Sequence, residues 1–136
     1  MKRLFSHSVS GFTLAELLVV LVIIGILVLL ALPNLMPMIS KTKSTEAQLQ
    51  LEHVYTLEKN YFYVHSKYSM SLEDIGFEQE KLSTQDGAAN YKIDIVQAGP
   101  SSFKATATAV VDFDGDGSFN IWEVNENKDI KETVKD

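Results

Sequence analysis

The chain contains no cysteine, so disulfide bonds cannot contribute to its fold. It also lacks a glycine-rich phosphate-binding loop and a recognisable nucleophile motif, which argues against a nucleotide hydrolase and against a serine or cysteine hydrolase. Its net charge is −6, whereas a nucleic-acid-binding groove requires a basic surface. The composition therefore favours a protein that acts by structure or by binding over an enzyme.

Charge is almost absent between Phe12 and Leu32, where Glu16 is the only ionisable side chain. A helix needs about 20 apolar residues to cross a bilayer, and this segment is long enough to do so. A carboxylate inside such a segment costs free energy unless it finds a partner, so Glu16 is a candidate functional residue. Lys2 and Arg3 precede the segment and predict an N-in, C-out orientation.

A short motif stands at the start of this apolar segment. Its residues are Lys2, Arg3, Gly11, Phe12, Thr13, Leu14 and Glu16. The pattern resembles the processing signal of type IV pilins and of type II secretion pseudopilins. The resemblance implies that a membrane peptidase cuts after Gly11 and methylates the new N-terminal Phe12. It also implies an assembly role for Glu16, which would pair with the Phe12 amine of an adjacent subunit, and Pro33 falls where family members commonly carry a proline.

The same resemblance implies a set of partners. The subunit would first lie in lipid as a single-pass protein of the bacterial inner membrane, where a prepilin peptidase/methyltransferase processes it. An inner-membrane assembly platform with a cytoplasmic ATPase would then add it to a helical homo-oligomeric filament, in the periplasm or at the cell surface. Two roles stay open: a surface pilin for adhesion, motility or DNA uptake, and a pseudopilin of a type II secretion system.

Two other interpretations of the N-terminal segment also stay open. A membrane-anchored calcium-binding module that never polymerises would keep its uncleaved N terminus, but a plain anchor leaves Gly11, Phe12 and Glu16 unexplained. A secreted soluble domain would be cut beyond Ala31. Secretory signals, however, have a shorter apolar core of about 7–15 residues.

Apolar residues at spacings of three and four predict that the helix continues beyond the membrane segment to about Tyr68. The residues of this predicted buried face are Ala47, Leu51, Val54, Leu57, Tyr61, Val64 and Tyr68. Pro33 and Pro37 each remove a backbone donor, so we expect a kink or local melting between Leu32 and Met38.

After Tyr68 the pattern changes from helical spacing to alternation, which predicts a small antiparallel sheet. The predicted strands are Tyr91–Ile95, Phe103–Val111 and Ile121–Val124. Ser71–Gly76 predicts a capped single helical turn that ends in a glycine. The charged tail, Asn125–Asp136, shows no core-facing pattern.

The expected fold class is α+β and pilin-like: a long N-terminal helix whose outer half packs on a small antiparallel β-sheet. The expected divisions are a leader over 1–11, a transmembrane or filament-core helix over 12–33, an amphipathic outer half of the helix over 34–68, and a small globular β domain over 69–136.

A second motif, D-x-D-x-D-G-x5-E, spans residues 112–123 and matches the calcium-loop pattern position by position. Calcium takes about six to eight oxygen ligands, and a tightly curled loop aims alternate carboxylates at one point. The predicted ligands are Asp112, Asp114, Asp116, the Ser118 carbonyl, Asn120 directly or through water, and Glu123. A β-strand after the loop would turn Glu123 away.

The alternative to a metal site is a solvated acidic turn, because Asp-Gly pairs also form hairpins. Three aspartates within one short loop would then repel one another with nothing to neutralise them, which favours a bound cation. Some pilins and pseudopilins that this chain resembles hold calcium in a C-terminal loop, and many pilins have a C-terminal disulfide. We therefore expect a structural Ca²⁺ that holds the loop to the sheet in place of the disulfide.

Overall fold

The fold of the chain is given by a computed structural model that describes residues 10–135, apart from the side chains at positions 34 and 36. Lys2, Arg3 and most of the predicted leader lie outside the described residues. The elements are helix α1 (Leu14–His65), a short 3₁₀ helix (Ser83–Gln85), and strands β1 (Tyr91–Ala98), β2 (Phe103–Ala109), β3 (Ile121–Asn125) and β4 (Ile130–Val134). The chain divides into two compact units, Met1–Leu35 and Met36–Asp136.

Helix α1 begins with a capping box formed by Thr13 and Glu16. The Glu16 carboxylate accepts hydrogen bonds from the Thr13 backbone N–H (2.8 Å) and the Thr13 hydroxyl (2.9 Å), while the Glu16 backbone N–H donates to the Thr13 hydroxyl (3.2 Å). Two donors at the start of the helix, which have no partner within it, are thereby satisfied. Glu16 thus has a local structural role in addition to any role in assembly.

Helix α1 continues without interruption through Pro33 and Pro37. The local melting expected between Leu32 and Met38 is therefore not present. Each proline removes one backbone donor, and the hydrogen bonds of the neighbouring residues are sufficient to keep the segment helical.

The four strands form one antiparallel sheet in the order β1-β2-β3-β4, which confirms the predicted α+β class. The tail, for which the sequence showed no core-facing pattern, contains β4. Val124 of β3 pairs with Ile130 of β4, and Ile130 packs against the core. Only this first residue of β4 is partly buried and the other four are exposed, so the strand has almost no apolar periodicity to detect.

The core of the second unit lies between α1 and the inner face of the sheet. Its buried members include Ala47, Leu51 and Val54 of α1 and Tyr91, Ile93, Phe103, Ala105, Ala107 and Val124 of the sheet. Val64 was wrongly assigned to this face, since 77% of its surface is exposed. Glu58 continues the buried face of the helix instead and is 0% exposed.

Glu58 is the most unusual member of the buried set. Its Oε2 accepts a hydrogen bond from the Ser69 backbone N–H at 3.0 Å, whereas its Oε1 has no hydrogen-bond partner. Burial raises the pKa of the Glu58 carboxyl, and the hydrogen bond from Ser69 partly opposes that rise. A glutamate is seldom fully buried, and sequence reasoning therefore missed it.

The predicted turn at Ser71–Gly76 is confirmed. The Gly76 N–H donates to the Glu73 carbonyl at 3.0 Å, and the Phe77 N–H donates to the Leu72 carbonyl at 2.8 Å. This pair of bonds is the Schellman pattern, which needs a left-handed residue at its end. Gly76 has a φ of 78° and fills that position without steric cost.

Candidate functional sites: the apolar helix and the acidic loop

The predicted processing residues, Gly11 and Phe12, lie just before α1 and are exposed. Phe12 exposes 87% of its surface. A Cβ added at Gly11 would meet no atom within 4 Å, so the surroundings of Gly11 are open. Glu16 is exposed as well and is held by Thr13 as described above.

The first half of α1 is apolar on every side. Within residues 10–135 one helical stretch is long and apolar enough to cross a membrane, Leu14–Pro33, with a mean hydropathy of 3.1 and no buried part. The large apolar side chains from Leu14 to Leu32 are each at least 50% exposed. A helix that is apolar all round requires lipid or other apolar helices as its surroundings. Pro33, at the end of this stretch, is also exposed.

The acidic loop, residues 110–119, connects β2 to β3 and is closed at its base by backbone hydrogen bonds. The Ala109 N–H donates to the Asn120 carbonyl at 2.8 Å, and the Val110 N–H donates to the Asn90 carbonyl at 2.9 Å. Inside the loop, the Phe113 ring packs against the core and lies 5.9 Å from the Tyr91 ring. The loop is therefore fixed at both of its ends and by one aromatic side chain.

Three carboxylates converge in this loop. Asp112, Asp114 and Asp116 each offer an oxygen, and these oxygens lie within 4.8 Å of one another. We call these residues the Asp triad. Gly115 and Gly117 adopt positive φ angles of 81° and 91°, which lets the chain curl between the aspartates. Within the described part of the chain, the triad is the one group of three or more His, Cys, Asp or Glu side chains with metal-ligand spacing.

Backbone N–H groups hold the triad in its curled form. Asp112 accepts from Gly115 N–H at 2.6 Å and from Gly117 N–H at 2.8 Å. Asp114 accepts from Asp116 N–H at 3.0 Å, and Asp116 accepts from Ser118 N–H at 2.7 Å. Asp114 and Asp116 each accept one of these bonds, and a carboxylate has two oxygens with about four lone-pair sites. Both side chains can therefore ligate a cation without losing these bonds.

Glu123, the predicted closing ligand, is not brought to the triad. Its carboxylate pairs with the ammonium groups of Lys104 at 3.5 Å and Lys131 at 3.3 Å. These lysines lie on the strands that flank β3. Because the loop continues into a strand and not into a helix, Glu123 is directed by the pleat of the sheet.

Asn120, another predicted ligand, is also engaged elsewhere. It is fully buried, and its Oδ1 accepts hydrogen bonds from the Tyr91 hydroxyl and from Trp122 Nε1, both at 2.7 Å. Its Nδ2 donates to Glu132 Oε1 at 2.6 Å and to the Val134 carbonyl at 3.0 Å. No sequence signal predicted this network, because its other members, apart from Trp122, are at least 12 positions from Asn120 along the chain.

Comparison with known proteins agrees with the N-terminal geometry. Residues 6–32 match the family described as the prokaryotic N-terminal methylation motif. The chain is also 41% identical over 77 residues to the type IV major pilin protein PilA of Myxococcus xanthus (strain DK1622), an alignment that covers 57% of this chain and 35% of that protein. The chain thus spans about a third of the length of the curated relative it matches.

These findings confirm the resemblance drawn from the N-terminal residues. The matched segment contains Gly11, Phe12 and Glu16, and the long helix with an antiparallel sheet is the pilin-like α+β fold expected. The chain carries a prepilin-type N-terminal methylation motif and is a homologue of a type IV major pilin.

Proposed function

We propose that this chain is the subunit of a type IV pilus-like filament, cut after Gly11 and methylated on the Phe12 amine. The match of residues 6–32 to the methylation motif carries the proposal. Gly11 and Phe12 precede α1 and are exposed, so a peptidase can reach the bond between them without unfolding a described element. The processing partner is a prepilin peptidase/methyltransferase.

Before assembly, the stretch Leu14–Pro33 lies in the inner membrane with its N terminus inside and its C-terminal domain outside. After cleavage, the same apolar surfaces pack against helices of neighbouring subunits. Transfer from lipid to a helix bundle gains little from the hydrophobic effect, so polar contacts and close packing must favour the filament. An assembly platform and its ATPase would supply the work of extraction. Because the relative is a major pilin, we favour a surface pilin over a pseudopilin.

Glu16 is the polar group proposed to favour assembly. In the single subunit its carboxylate caps α1 through Thr13, and in the filament it would pair with the Phe12 amine of a neighbour. Removing one partner of a buried ion pair costs about 3–5 kcal/mol. Glu16→Gln, which keeps an oxygen for the cap but removes the charge, should therefore leave membrane insertion intact and strongly reduce filament yield.

The matched control for this experiment is Thr13→Ala. This variant removes the hydroxyl of the capping box and keeps the Glu16 charge, so filament yield should fall much less than in Glu16→Gln. Sheared filaments and membrane-bound subunit would be quantified in parallel for both variants. Normal filament yield from Glu16→Gln would overturn the assembly role of the charge.

We further propose that the Asp triad binds one structural calcium ion. The donor set fits calcium because it consists of oxygens, which this hard cation prefers, and because the loop already directs three carboxylates at one region. The Ser118 carbonyl and water would complete the shell, while Asn120 and Glu123 are not part of the proposed set. A bound ion would neutralise the repulsion among the carboxylates and stiffen the acidic loop.

Thermal unfolding of the full chain in detergent, with calcium and with a chelator, tests this proposal. Calcium at about 100 times its dissociation constant would stabilise the protein by about 2.7 kcal/mol. Asp114→Ala should abolish the difference between the two conditions. Glu123→Ala is the control and should keep it, because Glu123 pairs with lysines and not with the triad. An unchanged chelator effect in Asp114→Ala would contradict a metal site at the triad.

A further inference from the structure

We propose that Asn120 anchors the acidic loop to β1 and to β4, and that it couples cation binding in the loop to the stability of β4. The anchoring rests on the contacts of Asn120 alone. The coupling rests in addition on the proposed calcium site. Asn120 is thereby a positioning residue and not a metal ligand.

The acceptor side of the Asn120 amide joins two strands. Its Oδ1 receives the Tyr91 hydroxyl of β1 and the Trp122 indole N–H of β3, both at 2.7 Å. The Ser44 hydroxyl of α1 lies 3.4 Å from the same oxygen and has a shorter hydrogen bond, at 3.0 Å, to the Ser40 carbonyl. Ser44 is itself buried. A ligand role would require this oxygen to leave two short hydrogen bonds inside the core, which is costly for a buried polar group.

The donor side of the same amide holds the C-terminal strand. Nδ2 donates one proton to Glu132 Oε1 at 2.6 Å and the other to the Val134 carbonyl at 3.0 Å. Both acceptors belong to β4, an edge strand with little buried surface. Because β4 buries so little apolar area, these two hydrogen bonds are a substantial part of what holds it beyond its pairing with β3.

Asn120 also stands at the base of the acidic loop. Its carbonyl accepts the Ala109 N–H at 2.8 Å, and it lies four residues after Asp116. Tyr91, which donates to Asn120, also contacts the loop itself, because its ring lies 5.9 Å from that of Phe113. A change in loop conformation on cation binding therefore reaches Asn120 both along the backbone and through Tyr91.

Asn120→Asp distinguishes an anchor from a ligand. A ligand would gain a full negative charge and keep or improve calcium binding. An anchor loses two N–H donors and places a carboxylate beside Glu132 and the Val134 carbonyl. We expect Asn120→Asp to lower the unfolding temperature even in chelator and to weaken calcium binding about tenfold or more (about 1.4 kcal/mol per factor of ten), measured by calorimetry on the full chain in detergent.

A double variant tests the hydrogen bond between the Asn120 amide and the Glu132 carboxylate. Glu132→Gln added to Asn120→Asp supplies an N–H donor for the new carboxylate, and it should restore part of both the unfolding temperature and the calcium affinity. Ser101→Ala, at an exposed position between β1 and β2, should change neither. Any of three results would overturn the anchor. Asn120→Asp could unfold at the wild-type temperature in chelator, it could bind calcium as tightly as wild type, or Glu132→Gln could fail to rescue it.

Amide exchange in the wild-type chain tests the coupling separately. Calcium should slow exchange at Ile130–Val134 as well as in the acidic loop. If calcium protects the loop but not β4, the coupling is overturned and the metal site stands.

If calcium does not bind to the chain, the metal site and the coupling are both overturned. The unfolding temperatures of the variants in chelator still test the anchor in that case. Failure of Asn120→Asp to fold would support the anchor, and exchange in the wild type would then decide the coupling.

Discussion

Replacing Glu58 with glutamine is expected to reduce the dependence of stability on pH. Glu58 is fully buried with one oxygen lacking a partner. Burial, opposed in part by the Ser69 N–H, raises the pKa of its carboxyl above the ordinary value of 4.5. Glutamine keeps the shape of the side chain and an oxygen for the Ser69 hydrogen bond, but it cannot ionise.

The direction of the effect follows from proton binding. As the pH rises past 4.5, the unfolded chain loses the Glu58 proton first, while the folded chain retains it until its own higher pKa is reached. The folded state therefore binds more protons across that interval, and the free energy of unfolding falls as the pH rises through it. The stability of Glu58→Gln relative to wild type should rise across the same interval and then stay constant.

Replacing Glu58 with alanine should lower the stability of the domain, in contrast to glutamine. Glu58→Ala leaves the buried Ser69 N–H without an acceptor, at a cost of about 1–3 kcal/mol. Loss of a buried methylene adds about 0.8 kcal/mol. The alanine variant should therefore be less stable than wild type at neutral pH, whereas the glutamine variant loses neither term.

Thermal unfolding of the full chain in detergent, followed by circular dichroism from about pH 4 to about pH 8, measures both variants. The expected result is a flatter pH profile for Glu58→Gln than for wild type, with Glu58→Ala the least stable at neutral pH. A profile for Glu58→Gln that parallels wild type throughout would refute the reasoning, because it would show that Glu58 does not titrate differently in the folded state.

Two further substitutions test other contacts of the folded domain. Gly87→Ala should destabilise by about 1–3 kcal/mol, because its Cβ would lie 1.8 Å from the Lys81 carbonyl oxygen. Gly99→Ala is its control, since its Cβ would be 3.9 Å from the nearest such atom; equal melting temperatures for the two variants would contradict this. Lys128→Met removes a half-exposed ion pair with Glu52 (2.5 Å) and should lower the melting temperature only slightly, because exposed ion pairs contribute little to stability. High salt should remove the difference in melting temperature between this variant and wild type. If the variant stays less stable in high salt, the cause is instead the lost contact of Lys128 with the Tyr55 ring, whose centroid lies 5.8 Å from Lys128 Nζ.

The features that sequence predicted are those encoded by neighbouring residues. Apolar spacing gave the long helix through Leu51 and Val54, alternation gave strands β1 to β3, and a contiguous motif gave the methylation signal. Each of these patterns repeats over a few residues, so it can be detected without knowing the tertiary fold.

The features that sequence missed depend on contacts between distant residues. Asn120 contacts Ser44 and Tyr91, which are 76 and 29 positions away along the chain. The residues next to Asn120 in the sequence do not distinguish a buried asparagine from a calcium ligand. Glu58 was likewise not among the predicted buried residues, because glutamate is usually exposed. Glu123 fitted the calcium pattern by spacing, but the pattern assumes a helix where this chain has a strand.

The contacts of Asn120 also explain how a C-terminal strand without cysteine is retained. β4 pairs with β3, and the Asn120 amide ties it to the centre of the domain through Glu132 and the Val134 carbonyl. In this chain a buried amide, with the proposed calcium ion beside it, occupies the role that a disulfide would fill. The arrangement does not depend on an oxidising compartment.

The central claim is processing at Gly11 followed by assembly, and the intact mass of the protein purified from its own membrane tests it most directly. The account predicts a mass equal to residues Phe12 through Asp136 plus one methyl group. A mass that retains the residues before Phe12 would contradict it, and a membrane-anchored, non-polymerising calcium-binding module would then be the better explanation.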